Sequence, residues 1–165
     1  MWKIFHDKIR VVYQKKLWYT VIEVTEMKEI YRQRALQLHK KGYNCAQAVL
    51  CAFSDKIDTQ PEVLFKISEG FGLGMGSMNQ TCGALSGAVM LAGLKNSAGN
   101  ASGMTKGATY QLAKHISRQF EEKNGATVCK ELKGIETGKM LRSCDGCIVD
   151  AVEILYDALF GEGEA

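Results

Sequence analysis

Apolar residues recur along this chain at spacings of three and four positions, which is the periodicity of one buried helix face. The clearest stripe begins after Thr25 and stops at Gly42, where glycine favours the end of a helix. Further helices are predicted from Asn44 and over 59–69, 82–94, 104–123, 128–133 and 144–160. The pattern therefore predicts an all-α fold, a compact single-domain bundle of about six to seven helices with a Gly-rich loop.

The two ends of the chain depart from this pattern. Residues 1–24 are predicted to form a helix, and residues 1–26 are assigned to an N-terminal extension. The cysteine-containing helical domain is predicted to span residues 27–160. The last residues, 161–165, are predicted to be a frayed acidic tail.

The turns carry their own signals. Residues 70–76 have glycine at every second position, which predicts a loop that runs towards Cys82. The third helix is predicted to begin with a Thr59 cap, with Pro61 in its first turn and Glu62 completing a capping box.

Composition agrees with a helical globular domain. The chain has 165 residues, of which 46% are hydrophobic and 24% charged, and its single proline is Pro61. The net charge of +3 is too small to indicate nucleic-acid binding. No apolar run reaches the roughly 18 residues that predict a transmembrane helix. The charged start carries no secretory signal, so we expect a cytoplasmic protein without membrane insertion.

Cysteine placement is the most informative feature of the sequence. In a reducing compartment the six cysteines are not expected to form structural disulfides. Four of them follow a good helix-capping residue: Cys45 after Asn44, Cys82 after Thr81, Cys129 two residues after Thr127, and Cys144 after Ser143. Each is therefore predicted in the first turn of a helix, where unpaired N–H groups and the helix dipole favour the thiolate. Thiolates bind metals and attack disulfides.

The apolar stripes indicate where these sulfurs face. Cys82 shares a stripe with Leu85, and Cys144 and Cys147 share one with the last helix's apolar residues, so all three should face the interior. Cys51 lies opposite the main stripe of its helix and is left out of the predicted site. The C-x-x-C spacing of Cys144 and Cys147 is found in redox dithiols and in half of a zinc site. Burial as small apolar residues is the alternative for every cysteine.

With these residues assembled, the chain resembles a family of redox-active proteins named for a C…CGAxxG…C…C pattern (C_GCAxxG_C_C). The resemblance rests on G-Y-N-C-A-Q-A-V (42–49), the glycine-rich segment (70–76), C-G-A-L-S-G-A (82–88), C-K-E-L (129–132), and Cys144 with D-A-V-E-I-L (150–155). It covers about residues 27–160. Split-Soret cytochromes carry a similar domain beside haem-binding segments, which implies an electron-transfer context. This chain has no C-x-x-C-H, so only the cysteine domain is shared.

The resemblance implies that four cysteines converge on an iron–sulfur cluster or another metal ion. These are Cys45, Cys82, Cys129 and Cys144. The apolar pattern of the last helix assigns the fourth position to Cys144, with Cys147 as the alternative. The glycine-rich segment and its neighbour are predicted to bring the backbone N–H groups of Gly72, Gly74 and Gly83 close to the cofactor.

Three functions remain open from the sequence. The first is electron transfer by such a centre with a redox partner protein. The second is thiol–disulfide exchange, with Cys144 and Cys147, or Cys82 and a partner, as the catalytic cysteines. The third is a non-catalytic four-cysteine zinc module. The partner's identity and the oligomeric state, a homodimer included, stay open. The histidines are predicted to be a core or boundary residue (His115) and surface residues (His6 and His39) rather than ligands.

Overall fold

Residues 24–161, which the computed structural model describes, form helices joined by short connections. The α-helices are α1 (24–40), α2 (Cys45–Ala52), α3 (Pro61–Glu69), α4 (Gly72–Met75), α5 (Gly83–Asn96), α6 (Lys106–Asn124), α7 (Cys129–Lys133) and α8 (Cys144–Phe160). Short 3₁₀ helices lie at Ser54–Lys56 and Ala101–Gly103. The described part of the chain contains no β-strand, and Thr81 and Val128 make an isolated β-bridge. The predicted all-α, single-domain fold is confirmed.

The ends of the chain carry predictions that the structure does not address. Residues 1–23 lie outside the described residues, and so does the helix predicted there. Residues 24–26 of the predicted extension belong to α1. Residues 162–165, most of the predicted acidic tail, also lie outside the described residues.

Helix α5 occupies the middle of the bundle, in contact with α2, α6 and α8. Leu50 of α2, Leu85 of α5 and Leu155 of α8 are almost completely buried in the core that these helices share. Burial of each such leucine contributes roughly 1.5–3 kcal/mol to folding. The core therefore fixes the relative positions of three helices that begin at or directly after a cysteine.

Two glycines allow the first turns of α5 to approach α2. A Cβ on Gly83 would lie 2.9 Å from the carbonyl oxygen of Phe71 and 3.3 Å from the Cβ of Cys45. A Cβ on Gly87 would lie 2.6 Å from the carbonyl oxygen of Ala46. Because the backbone of α2 leaves no room for these methyl groups, the two glycines set the distance between the helices.

Replacing Gly87 by alanine is expected to destabilise the protein by about 1–3 kcal/mol, because the added methyl forces α2 and α5 apart. Gly93→Ala is the matched control on the same helix, since a Cβ on Gly93 meets open space. That control should gain up to about 1 kcal/mol through its better helix propensity. Denaturant unfolding measures both free energies. Equal stabilities of the two variants would contradict the close packing of α2 on α5.

The predicted start of α3 is wrong by one residue. The N-cap of α3 is Gln60, whose side chain makes no capping hydrogen bond, and Pro61 is the first helical residue. Proline lacks an N–H and has a fixed φ, so it suits the first helical position and makes the preceding residue the cap. Thr59 therefore lies too early to cap the helix, and Glu62 lies one position short of a capping box.

Candidate functional site

Five of the six cysteines line one cavity of about 210 Å³. They come from four helix starts: Cys45 from α2, Cys82 from the residue before α5, Cys129 from α7, and Cys144 and Cys147 from α8. All four cysteines of the predicted ligand set are thus brought to one place, together with the predicted alternative. Local sequence places each of these cysteines at or next to the start of a helix, and the packing of the helices brings the cysteines to one cavity.

Two of the predicted helix caps are confirmed. The Asn44 side-chain oxygen accepts from the backbone N–H groups of Ala46 and Gln47, each at 3.0 Å, and the Gln47 side chain accepts from the Asn44 N–H at 2.9 Å. The Ser143 hydroxyl oxygen accepts from the N–H of Gly146 at 3.1 Å. These caps place Cys45 and Cys144 at the first helical positions of α2 and α8.

The other two predicted caps are wrong. Cys82 is itself the N-cap of α5, and Val128, not Thr127, is the N-cap of α7. The Cys82 N–H donates to the Thr127 carbonyl oxygen at 2.8 Å, and the Cys129 N–H donates to the Gln80 carbonyl oxygen at 3.0 Å. The residues before α5 and α7 therefore pair through their backbones, so the threonines lie in extended segments rather than at helix starts. This pairing fixes the backbones of Cys82 and Cys129, which both line the cavity.

Four of the cavity sulfurs form two hydrogen-bonded pairs, and in each pair one cysteine has a lowered pKa and the other a raised one. The Cys45 thiol donates to Cys144, and the Cys147 thiol donates to Cys82. The bond from Cys45, with help from the Lys133 ammonium, lowers the pKa of Cys144 to about 5. The bond from Cys147, together with the N–H groups at the start of α5, lowers the pKa of Cys82 to about 7.

The remaining thiols stay protonated. Hydrogen bonding to a thiolate partner and burial raise the pKa of Cys45 and of Cys147. Burial raises the pKa of Cys129, and the nearby Cys82 charge adds to that effect. Cys51 lies in the core away from the cavity, where burial raises its pKa to about 11. Cys51 does not line the cavity, and it is buried in the core although the sequence pattern placed it opposite the apolar stripe of its helix.

Basic side chains surround the sulfurs, and sequence reasoning missed them. The Lys133 ammonium donates to the Cys144 sulfur at 3.2 Å. Arg142 lines the cavity and binds the buried carboxylate of Asp150 through two contacts, at 2.8 and 3.1 Å. The spacing of Lys133 four residues after Cys129 on one helix could have indicated the first of these.

His39 corrects a further prediction. It was expected to be a surface residue, yet it lines the cysteine cavity with its side chain 27% exposed, and its Nδ1 is 2.8 Å from Oδ1 of Asp145. These two residues are 106 positions apart, so no local pattern could place His39 here. The prediction that His115 is a core or boundary residue is also wrong, because His115 lies exposed on α6 and away from the cavity. His6 lies outside the described residues.

The predicted glycine loop contains a short turn, α4, that packs against the elements carrying cysteines. Its backbone is left-handed, with φ of 54° at Leu73, 58° at Gly74 and 56° at Met75. A Cβ on Gly72 would lie 2.6 Å from the side chain of Asn44, the cap next to Cys45. A Cβ on Gly74 would lie 2.7 Å from the Cβ of Cys129, and Gly74 also has a φ of +58° that disfavours other residues. Gly83 lines the cavity itself. Their approach to a cofactor through backbone N–H groups stays a prediction.

The sulfurs are not gathered around one point. Within residues 24–161, no three or more Cys, His, Asp or Glu side chains are placed to hold a single metal ion. A mononuclear zinc site would need its four ligands at the corners of one tetrahedron.

The family comparison agrees with this cysteine geometry. The family model described as "Putative redox-active protein (C_GCAxxG_C_C)" matches residues 43–158, a range that includes all five cavity cysteines. The chain belongs to this family. No curated protein and no solved structure matches the chain. Among the helices of residues 24–161, none has the length and apolar character needed to cross a bilayer.

Proposed function

We propose that this member of the redox-active family is an electron-transfer protein whose five-cysteine cavity binds an iron–sulfur cluster. The observation that carries the proposal is the convergence of five thiols from four helix starts on one cavity. Iron–sulfur clusters are held by cysteine thiolates, usually four. Because a cluster spreads its ligands over several iron atoms, its cysteines need not surround a single point as zinc ligands do.

The donor set fits such a group. The proposed ligands are Cys45, Cys82, Cys129 and Cys144, the cysteines of the family pattern, and the thiolate character of Cys82 and Cys144 favours metal binding. Cys147 is proposed to stay a thiol that donates its hydrogen bond to Cys82. Cys82, Cys129 and Cys147 are buried and Cys45 and Cys144 half-buried, which limits the access of water, and solvent exposure shifts a cluster's potential.

When bound, the cluster would accept and release single electrons. The contribution of this chain is to position and shield it. The close packing at Gly74 and Gly83 keeps α4 and α5 against the cysteine helices, and Leu73 covers part of the cavity. Lys133 offsets negative charge at Cys144.

Iron and acid-labile sulfide analysis, with an absorption spectrum, tests the proposal on protein purified without oxygen. We expect iron and sulfide in the preparation and visible absorption that bleaches on reduction. Zinc near one atom per chain, with no visible absorption, would favour the zinc module instead. A colourless protein without metal would overturn the proposal.

A second function is favoured by one observation, the thiol–thiolate pair of Cys45 and Cys144. A thiolate beside a thiol is the arrangement used in thiol–disulfide exchange. Cys144 is half-buried, so reagents can reach it. The catalytic cysteines of this alternative would be Cys144 and Cys45, or Cys82 with Cys147, rather than the C-x-x-C pair alone.

The alternative predicts how Cys144 reacts with iodoacetamide in metal-free, reduced protein. Because only the thiolate reacts, its alkylation rate should rise with pH and reach half its plateau near pH 5. Cys51, whose pKa is about 11, is the internal control and should stay unmodified over the same range. Peptide mapping by mass spectrometry follows both sites. A Cys144 midpoint near pH 9 would show that the pair does not stabilise the thiolate.

A further inference from the structure

One basic side chain at the cavity is bonded to sulfur instead of to a carboxylate. The Lys133 ammonium donates to Cys144 at 3.2 Å. The two other basic side chains that line the cavity, His39 and Arg142, bind carboxylates carried by α8. The positive charge of Lys133 is therefore directed at the cysteine site, while the Arg142 guanidinium is paired with the Asp150 carboxylate.

The position of Lys133 makes this charge effective. Lys133 is the last residue of α7 and lies one turn after Cys129, so both point to the same cavity. Its side chain is half-buried, which reduces the screening of its charge by water and salt. A lysine ammonium is protonated at neutral pH, so the side chain brings a positive charge to within 3.2 Å of the Cys144 sulfur.

We propose that Lys133 sets the reduction potential of the cysteine centre by stabilising its reduced state. The inference rests on the proposed function and concerns the regulation of that same site. One-electron reduction adds one negative charge to the centre, and a fixed positive charge beside Cys144 stabilises the more negative state. Hydrogen bonds to the sulfurs of a cluster act in the same direction. Lys133 thus acts through Cys144 as a positioning residue and does not itself exchange electrons.

The test is a reductive titration of the wild-type protein and of Lys133→Met, followed by visible absorption under anaerobic conditions. We expect Lys133→Met to shift the ratio of reduced to oxidised centre at least tenfold towards the oxidised form at a fixed potential. For a one-electron couple this equals a midpoint lowered by about 59 mV. Lys130→Met is the matched control on the same helix, because Lys130 pairs with Glu136 at 2.6 Å and does not line the cavity.

Two more variants separate charge from hydrogen bonding and from damage to the site. Lys133→Arg keeps the charge and should retain most of the wild-type potential, whereas Lys133→Gln keeps a donor without the charge and should lie between. Iron content is measured for each variant. If Lys133→Met loses iron, the midpoint potential of Lys133→Gln is compared with those of the wild type and of Lys130→Met instead. Midpoints of Lys133→Met and Lys133→Gln equal to that of Lys130→Met would overturn the inference and leave the proposed function intact. Absence of a cluster from the wild-type protein would overturn the proposed function itself.

Discussion

Cys82→Ser is expected to abolish the visible absorption and the bound iron of the protein. Cys82 is one of the two cavity cysteines whose pKa is lowered, and it is only 5% exposed. Its backbone N–H is fixed by the pairing of the segments before α5 and α7. A serine hydroxyl stays protonated at neutral pH and cannot replace a thiolate ligand. Cys51→Ser is the matched control, since Cys51 is also buried but lies outside the cavity. It should keep its iron, although it will lose some stability.

The same experiment distinguishes the two candidates for the remaining ligand. We expect Cys144→Ser to lose the cluster and Cys147→Ser to keep it with a shifted potential, because the proposed role of Cys147 is to donate a hydrogen bond to Cys82. The opposite result would assign the ligand role to Cys147 and leave Cys144 as the spare sulfur. Retention of iron by Cys82→Ser would contradict the cysteine centre altogether.

Arg142→Met is expected to lower the free energy of unfolding by about 3 kcal/mol, because it leaves a buried carboxylate short of a partner. Asp150 is 1% exposed and accepts from Arg142 at 2.8 and 3.1 Å and from Lys123 at 2.9 Å. Lys123 remains after the substitution, so the loss should fall at the low end of the range for broken buried pairs. Since Arg142 also lines the cysteine cavity, the substitution should loosen the start of α8.

Two controls support this interpretation. Arg118→Met removes an exposed arginine paired with Glu122 on the surface of α6 and should cost less than about 0.5 kcal/mol. Combining Arg142→Met with Asp150→Leu should restore part of the stability, because the buried charge is removed together with its partner. Denaturant unfolding of the four proteins gives the comparison. A similar loss for Arg118→Met and Arg142→Met would show that burial of Asp150 adds nothing.

Local sequence determined the helices and the placement of cysteines at their starts. Asn44 and Ser143 cap their helices as predicted. The side-chain oxygen of a cap accepts from backbone N–H groups no more than three residues later, so this interaction depends on local sequence alone. The prediction failed at Thr59, where proline moved the helix start, and at Thr81 and Thr127, where backbone pairing between distant segments took precedence. At Thr81 and Thr127 the helix cap competes with backbone pairing to a distant segment. The sequence of one segment does not reveal which other segment it will meet, so this outcome cannot be predicted from local sequence.

The chemistry of the site was decided by the tertiary structure. The sequence by itself determined an all-α chain and a set of cysteines at or next to helix starts, since periodicity and capping are local properties. Only the packed fold decided that the thiols of Cys45 and Cys144 would pair and that His39 would lie at the cavity. Those contacts join residues from opposite parts of the chain, and their geometry follows from how close α2, α5 and α8 can pack.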